Sequence, residues 1–109
     1  MDAAIIVEGK HDRERLLPMV NGNTRIFCTF GIPTHGLLMQ LRAQTANVQV
    51  YIFSDSDQVG KRIRAILGEE FPDAIHLHTK AEYRGVENTP LEYLQQLLLK
   101  HELLRTDSV

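Results

Sequence analysis

A chain of 109 residues, 43% apolar and 24% charged, has the size and balance of one globular domain, and no repeat, low-complexity stretch or linker divides residues 1–109. A net charge of −2 argues against a protein that grips nucleic acid through a broad basic surface. No apolar run approaches bilayer length, Met1-Asp2-Ala3-Ala4-Ile5 carries no basic leader, and the lone Cys28, read as a buried thiol, forms no internal disulfide, so a cytoplasmic protein without a membrane partner is expected.

Ala3 to Val7, apolar throughout, reads as a strand covered on both faces. A helical stretch follows from about Asp12 to Val20, with Leu16, Leu17 and Val20 to one side, and Asn21-Gly22-Asn23 stops it. Arg25 to Thr29 is a second short strand. Thr29 and Gly31 then stand where a cleft wall would form, with Gly31 serving the turn. Ile32-Pro33-Thr34-His35-Gly36 opens a second helix, whose Leu37, Leu38 and Leu41 recur at helical spacing. Val48 to Phe53 is the clearest strand of the chain. Beyond Asp57, the residues Val59, Ile63, Ile66 and Leu67 mark one face of a third helix, broken by Phe71-Pro72-Asp73. Ala74 to Leu77 gives a fourth strand. Thr89-Pro90-Leu91-Glu92 has the form of a capping box with proline at the first helical position. The helix it opens turns Leu91, Leu94, Leu97 and Leu98 towards the core or towards another subunit of an oligomer.

Strand and helix in regular alternation predict right-handed crossovers. The fold class is therefore α/β: a three-layer α/β/α arrangement, Rossmann-like, around a mainly parallel four-stranded sheet. Such sheets bind ligands beyond the carboxyl ends of their strands, and two of those turns are chemically unusual. The first reads Val7-Glu8-Gly9-Lys10-His11-Asp12, and the other Phe53-Ser54-Asp55-Ser56-Asp57-Gln58-Val59-Gly60-Lys61. If the first and third strands are neighbours, in a flavodoxin-like order, Glu8 faces the same point as Asp55 and Asp57. Carboxylates gathered in this way resist ionisation unless a cation neutralises them. Oxygen-only ligands favour Mg2+ (or Mn2+) over zinc, with shell positions left for phosphate oxygens.

Glu8-Gly9-Lys10 after an apolar strand, with Asp55-Ser56-Asp57 before a helix carrying Gly60-Lys61-Arg62-Ile63-Arg64, resembles the Toprim family of topoisomerases, primases and several nucleases. Within it, the chain is most similar to the ribonucleases that mature ribosomal-RNA precursors, and Gly85-Val86-Glu87-Asn88-Thr89-Pro90 resembles a later motif of that group. The likeness spans Ile5 to Leu94. It implies a magnesium-dependent protein acting on the phosphodiesters of RNA or DNA, most directly a nuclease. Carried over by residue, Glu8 acts in acid-base chemistry or joins the metal site, with Lys10 as a second catalytic group. Asp55 and Asp57 are metal ligands, and Glu87 is a further acid. Gly9 and Gly60 supply tight turns, and together with Lys10 and Lys61 they approach the substrate phosphate. The maturing ribonucleases carry further sequence that engages RNA, whereas this chain ends at Val109. An alternative is therefore a non-catalytic metal- and nucleic-acid-binding module that works with a partner protein.

Plainer readings stand beside these. Asp57 before a helix is also an N-cap. Lys61, Arg62 and Arg64 fit a nucleic-acid contact and a solvated helix face equally well. His76 and His78 share a strand face without a third zinc ligand near them in sequence. A phospho-acceptor receiver domain would need an acidic pair after the first strand and a lysine after a fifth, and neither is present. Phosphatases of the haloacid dehalogenase type carry Asp-x-Asp on the first strand instead.

Overall fold

In a computed structural model describing residues 1–106, the chain is organised around β1 (Ala3–Val7), all five of whose side chains are buried. A strand without a polar face must be covered on both sides. The remaining elements supply that cover: α1 (Lys10–Leu16), β2 (Thr24–Cys28), α2 (His35–Gln44), β3 (Gln49–Ile52), α3 (Gln58–Glu70), β4 (Ile75–His76), a single 3-10 turn at Ala81–Tyr83, and α4 (Leu91–Lys100). The sheet order is β2-β1-β3-β4, and every neighbouring pair is parallel. The flavodoxin-like adjacency of the first and third strands is thus realised.

Alternation along the strands divides the core. Ile5, Val7, Tyr51 and Phe53 face Leu16 of α1 and Leu94 and Leu98 of α4. Ile6, Val50 and Ile52 face Leu41 of α2 and Ile63 and Leu67 of α3. Two helices therefore lie on each face, giving the three layers.

The boundaries differ from the sequence reading in ways that have local causes. The first helix stops at Leu16 rather than near Val20, because Pro18 has no amide to continue the ladder; Leu17 is left exposed. The fourth strand shrinks to Ile75–His76, an exposed edge. No capping box forms at the last helix. Pro90 is the cap residue and lends no side-chain bond. The Thr89 hydroxyl is fully buried and instead donates to Gly85 O at 2.6 Å, closing the preceding loop on itself. Leu91, expected inward, is 46% exposed, whereas Leu94 and Leu98 are buried. Among the described residues, no helix is long and apolar enough to cross a membrane.

Leu98 is fully buried and Leu99 is 58% exposed on the same helix. Leu98→Ala should cost about 2–5 kcal/mol of unfolding free energy in urea titrations. Leu99→Ala should stay within about 0.5 kcal/mol. Equal midpoints for the two variants would show that α4 does not pack as described.

Candidate functional site

The pairing of β1 with β3 brings the acids together. Ile6 stands opposite Ile52, and Phe53 N–H donates to Ile6 O at 2.9 Å, so the two strands leave the sheet side by side. Glu8 is the first residue beyond β1, and Asp55 and Asp57 follow β3 closely. Glu8 is half-buried, and its Oε1 is wholly buried with no hydrogen-bond partner. Burial pushes its carboxyl above the ordinary range, and the negative charges of Asp55, Asp57 and Asp12 push it further. Carboxylates from two distant turns therefore act on one another.

Each acid is held differently. Asp55 Oδ1 accepts from Val86 N–H at 3.2 Å. Burial raises its pKa, the Val86 bond lowers it, Asp57 and Glu87 raise it again, and Arg64 lowers it. Asp57 realises the plainer reading, since its Oδ1 caps α3 by accepting Gly60 N–H at 2.6 Å. That bond occupies one oxygen of an exposed carboxylate. Glu87, also exposed, is near enough to raise both Asp55 and Asp12. Among the described residues, no three His, Cys, Asp or Glu side chains form a ready-made metal cage. The acids share an electrostatic neighbourhood without closing into a ligand shell.

The two glycines named from the sequence behave differently from expectation. Gly9 has extended backbone (φ −127°) and room for a Cβ, so no tight turn requires it. Gly60 is required by packing, because a Cβ there would meet the Asp55 carbonyl carbon at 2.7 Å. Neither offers a free amide to phosphate: Gly9 N–H donates to Asp12 Oδ2 at 3.1 Å and Gly60 N–H to Asp57. Lys10 is largely exposed, with Nζ 3.8 Å from Glu14, and Lys61 is exposed. These lysines remain the cations at the two turns.

Several residues of the site were not singled out from the sequence. Asp12 is buried, and its pKa is raised by desolvation and by Asp55 and Glu87 against the Gly9 bond. Its position three residues after the helix cap was the available signal. Gly85 has φ +108°, and a Cβ there would lie 2.8 Å from Asp55 Oδ1, so the segment from Gly85 closes directly onto that carboxylate. Arg15 fastens the same loop from α1, donating to Glu87 O at 2.5 Å and Thr89 O at 2.6 Å. Arg84 joins Asp55, Ser56, Asp57 and Ala81 around a cleft of about 360 Å³. Arg64, placed with Lys61 and Arg62 as contact or solvated face, is neither. Its guanidinium donates to Ile52 O, Ser54 O and Leu77 O at 3.2, 2.7 and 2.8 Å, and meets His76 Nδ1 at 3.1 Å. His76 and His78 stack on each other, 6.4 Å between ring centroids. Cys28 is half-buried rather than buried, its thiol donating to Gly9 O at 3.5 Å.

The donor chemistry fits a hard divalent cation. The acids are all-oxygen, one carboxylate oxygen is buried and unsatisfied, and none of the ion pairs among the described residues engages Glu8, Asp12, Asp55 or Asp57.

Fold and site together define a three-layer α/β/α protein with an acidic centre at the carboxyl ends of two central parallel strands. A solved small TOPRIM domain protein from Bacillus stearothermophilus has the same architecture, with a TM-score of 0.87 and 31% sequence identity over 96% of this chain and 90% of that one. The chain belongs to the small Toprim domain proteins. It is also 34% identical over 103 residues to YusF, an uncharacterized protein of Bacillus subtilis (strain 168), covering 94% of this chain and 70% of that protein. No protein-family model matches the chain.

Glu8, Asp12 and Asp55 each hold a proton more tightly folded than unfolded. The stability they contribute is complete below the unfolded carboxylate range and is lost as pH rises through their raised folded values. In metal-free protein, Glu8→Gln should therefore melt above wild type at about pH 8, with the gap closing towards about pH 4. Coincident melting curves at the higher pH would mean that neither burial nor the neighbouring acids disfavour the ionised Glu8 carboxylate.

Proposed function

We propose that the protein is a magnesium- or manganese-dependent enzyme acting on nucleic-acid phosphodiesters, with cleavage of RNA or DNA as its reaction and the cytoplasm as its setting. The observation that carries this reading is the buried, unpartnered Glu8 Oε1 within electrostatic reach of Asp55 and Asp57. Asp55, Asp57 and Glu8 would hold the ion, with Glu87 at the edge of the set. When bound, such an ion neutralises phosphate charge and polarises the phosphorus centre. The side chains do the rest. Where Asp55 and Asp57 alone hold the ion, Glu8 is placed to take or return a proton at the reacting oxygen. Lys10, Lys61 and Arg84 offset charge on the non-bridging phosphate oxygens. Gly85 and Val86 keep the Asp55 carboxylate aimed into the cleft.

A second reading has its own support. The lack of a closed three-residue cage among the described residues suits a metal- and nucleic-acid-binding module completed by a partner protein.

Structured RNA, single-stranded DNA and duplex DNA incubated with Mg2+ or Mn2+ separate the two. Under the first reading wild type cleaves at least one substrate, while Glu8→Gln and Asp55→Asn each lose about 100-fold or more with unchanged far-UV circular dichroism. Binding without any cleavage by wild type would transfer the case to the second reading.

A further inference from the structure

We propose that Phe30 is a stacking platform for an unpaired nucleobase, so that the nucleic acid engaged at the acidic centre is single-stranded there. The inference rests on the nucleic-acid reading above and names the class of strand it takes.

Phe30 is the most exposed of the large apolar side chains among the described residues, at 73%. It joins neither core cluster and makes none of the ring or cation contacts that Phe27, Tyr51, Tyr83 and Tyr93 make. Its backbone is left-handed (φ 55°), and Gly31 after it is also at positive φ (103°). A bulky residue in that region is an outlier, since Gly or Asn would adopt the turn more cheaply. Exposure and strain thus coincide on one ring with no packing return, a combination characteristic of functional positions.

The position of the residue says what the ring meets. Thr29 N–H donates to Val7 O at 3.0 Å and Phe30 N–H to Glu8 O at 2.7 Å, so the β1–β2 ladder runs past Cys28 and ties Phe30 to the main chain of the acid itself. Ile32, two residues on, is also exposed and extends the apolar surface. The exposed ring thus stands on a residue bonded to the main chain of Glu8, where the phosphate of a bound strand would lie. In a duplex both faces of each base are already stacked, so only an unpaired base can offer a face to Phe30. A chain of net charge −2 has little bulk attraction for a polyanion, and stacking supplies affinity that does not depend on charge.

The chain contains no tryptophan, so Phe30→Trp introduces a single reporter at this position. Wild type, Phe30→Ala and Phe30→Trp are titrated by fluorescence anisotropy with a labelled single-stranded oligonucleotide and its duplex, with calcium replacing magnesium. Phe30→Ala should lose roughly tenfold or more on the single strand and little on the duplex. Phe30→Trp should keep the affinity, with its emission quenched on binding, and all three proteins should gain the same thermal stability from Mn2+. Single-strand binding by Phe30→Ala equal to wild type overturns the inference while leaving the nucleic-acid reading intact. Wild type that binds neither nucleic acid removes the reading itself. A wild-type dimer that Phe30→Ala converts to monomer in sedimentation overturns the inference differently, making the ring a contact between copies of the chain.

Discussion

Parallel pairing of β1 with β3 is the constraint on which the site depends. With Ala3 opposite Gln49 and Ile6 opposite Ile52, β1 runs one residue beyond its last pair with β3, and the two turns leave the same edge of the sheet. Any carboxylate at the first position after β1 is then forced near those following β3. The arrangement is electrostatically unfavourable in the metal-free chain, as the raised pKa values of Glu8, Asp12 and Asp55 record. It persists because the two-sided core of Ile5, Ile6, Ile52 and Phe53 fixes the strands whatever the acids prefer. The acids are restrained by single bonds: Asp55 by Val86 N–H, Asp57 by Gly60 N–H, Asp12 by Gly9 N–H. Each restraint engages one carboxylate oxygen and leaves the other available.

Arg64 meets the same problem from behind. Ile52 O at the end of β3 already accepts from Leu77 N–H at 2.8 Å, and Arg64 adds a second donor to it. The guanidinium gathers Ile52, Ser54 and Leu77 carbonyls with its rigid fork and lies close enough to Asp55 to favour its ionised form. Burial lowers the arginine's own pKa, and burial first, then its charge, holds His76 and His78 towards the neutral state. The histidine pair thus lies against a half-buried cation. A lysine has one ammonium and no fork, so it could not bridge carbonyls from two strands in this way.

How much of this was legible follows from which signals are local. The order of elements, the parallel sheet and the two acidic turns could be read from Ala3–Val7, Val48–Phe53, Glu8 and Asp55-Ser56-Asp57, because hydrophobic runs and carboxylate spacing are properties of short segments. Asp12 and Arg64 were not legible in their roles, since a charged residue on a helix looks solvated until the partner strand is known. Gly85 could be placed in a motif by resemblance, but its reason is a contact with Asp55 thirty residues away. Thr89-Pro90-Leu91-Glu92 misled for the opposite cause. Its local pattern fits a cap, yet tertiary burial drew the threonine hydroxyl to Gly85 O instead.

The distribution of backbone strain carries the argument one step further. Among the described residues, Phe30, Asn47, Arg84 and Glu102 are the non-glycine positions with positive φ. Asn47 precedes β3 and Glu102 follows α4, at the opposite end of the sheet from the acids, where they serve turns, and asparagine tolerates that conformation well. Phe30 and Arg84 flank the acidic turns. Neither residue type favours the left-handed region; Arg84 ends the 3-10 turn there, its N–H donating to Ala81 O at 3.1 Å, and Phe30 follows β2. The Phe30 main chain is bonded to Glu8 O, and Arg84 lines a cleft with Asp55 and Asp57. Under the proposed function, a nucleotide's base would call for an apolar ring beside the acids and its phosphate for a cation, and a metal ion alone would require neither.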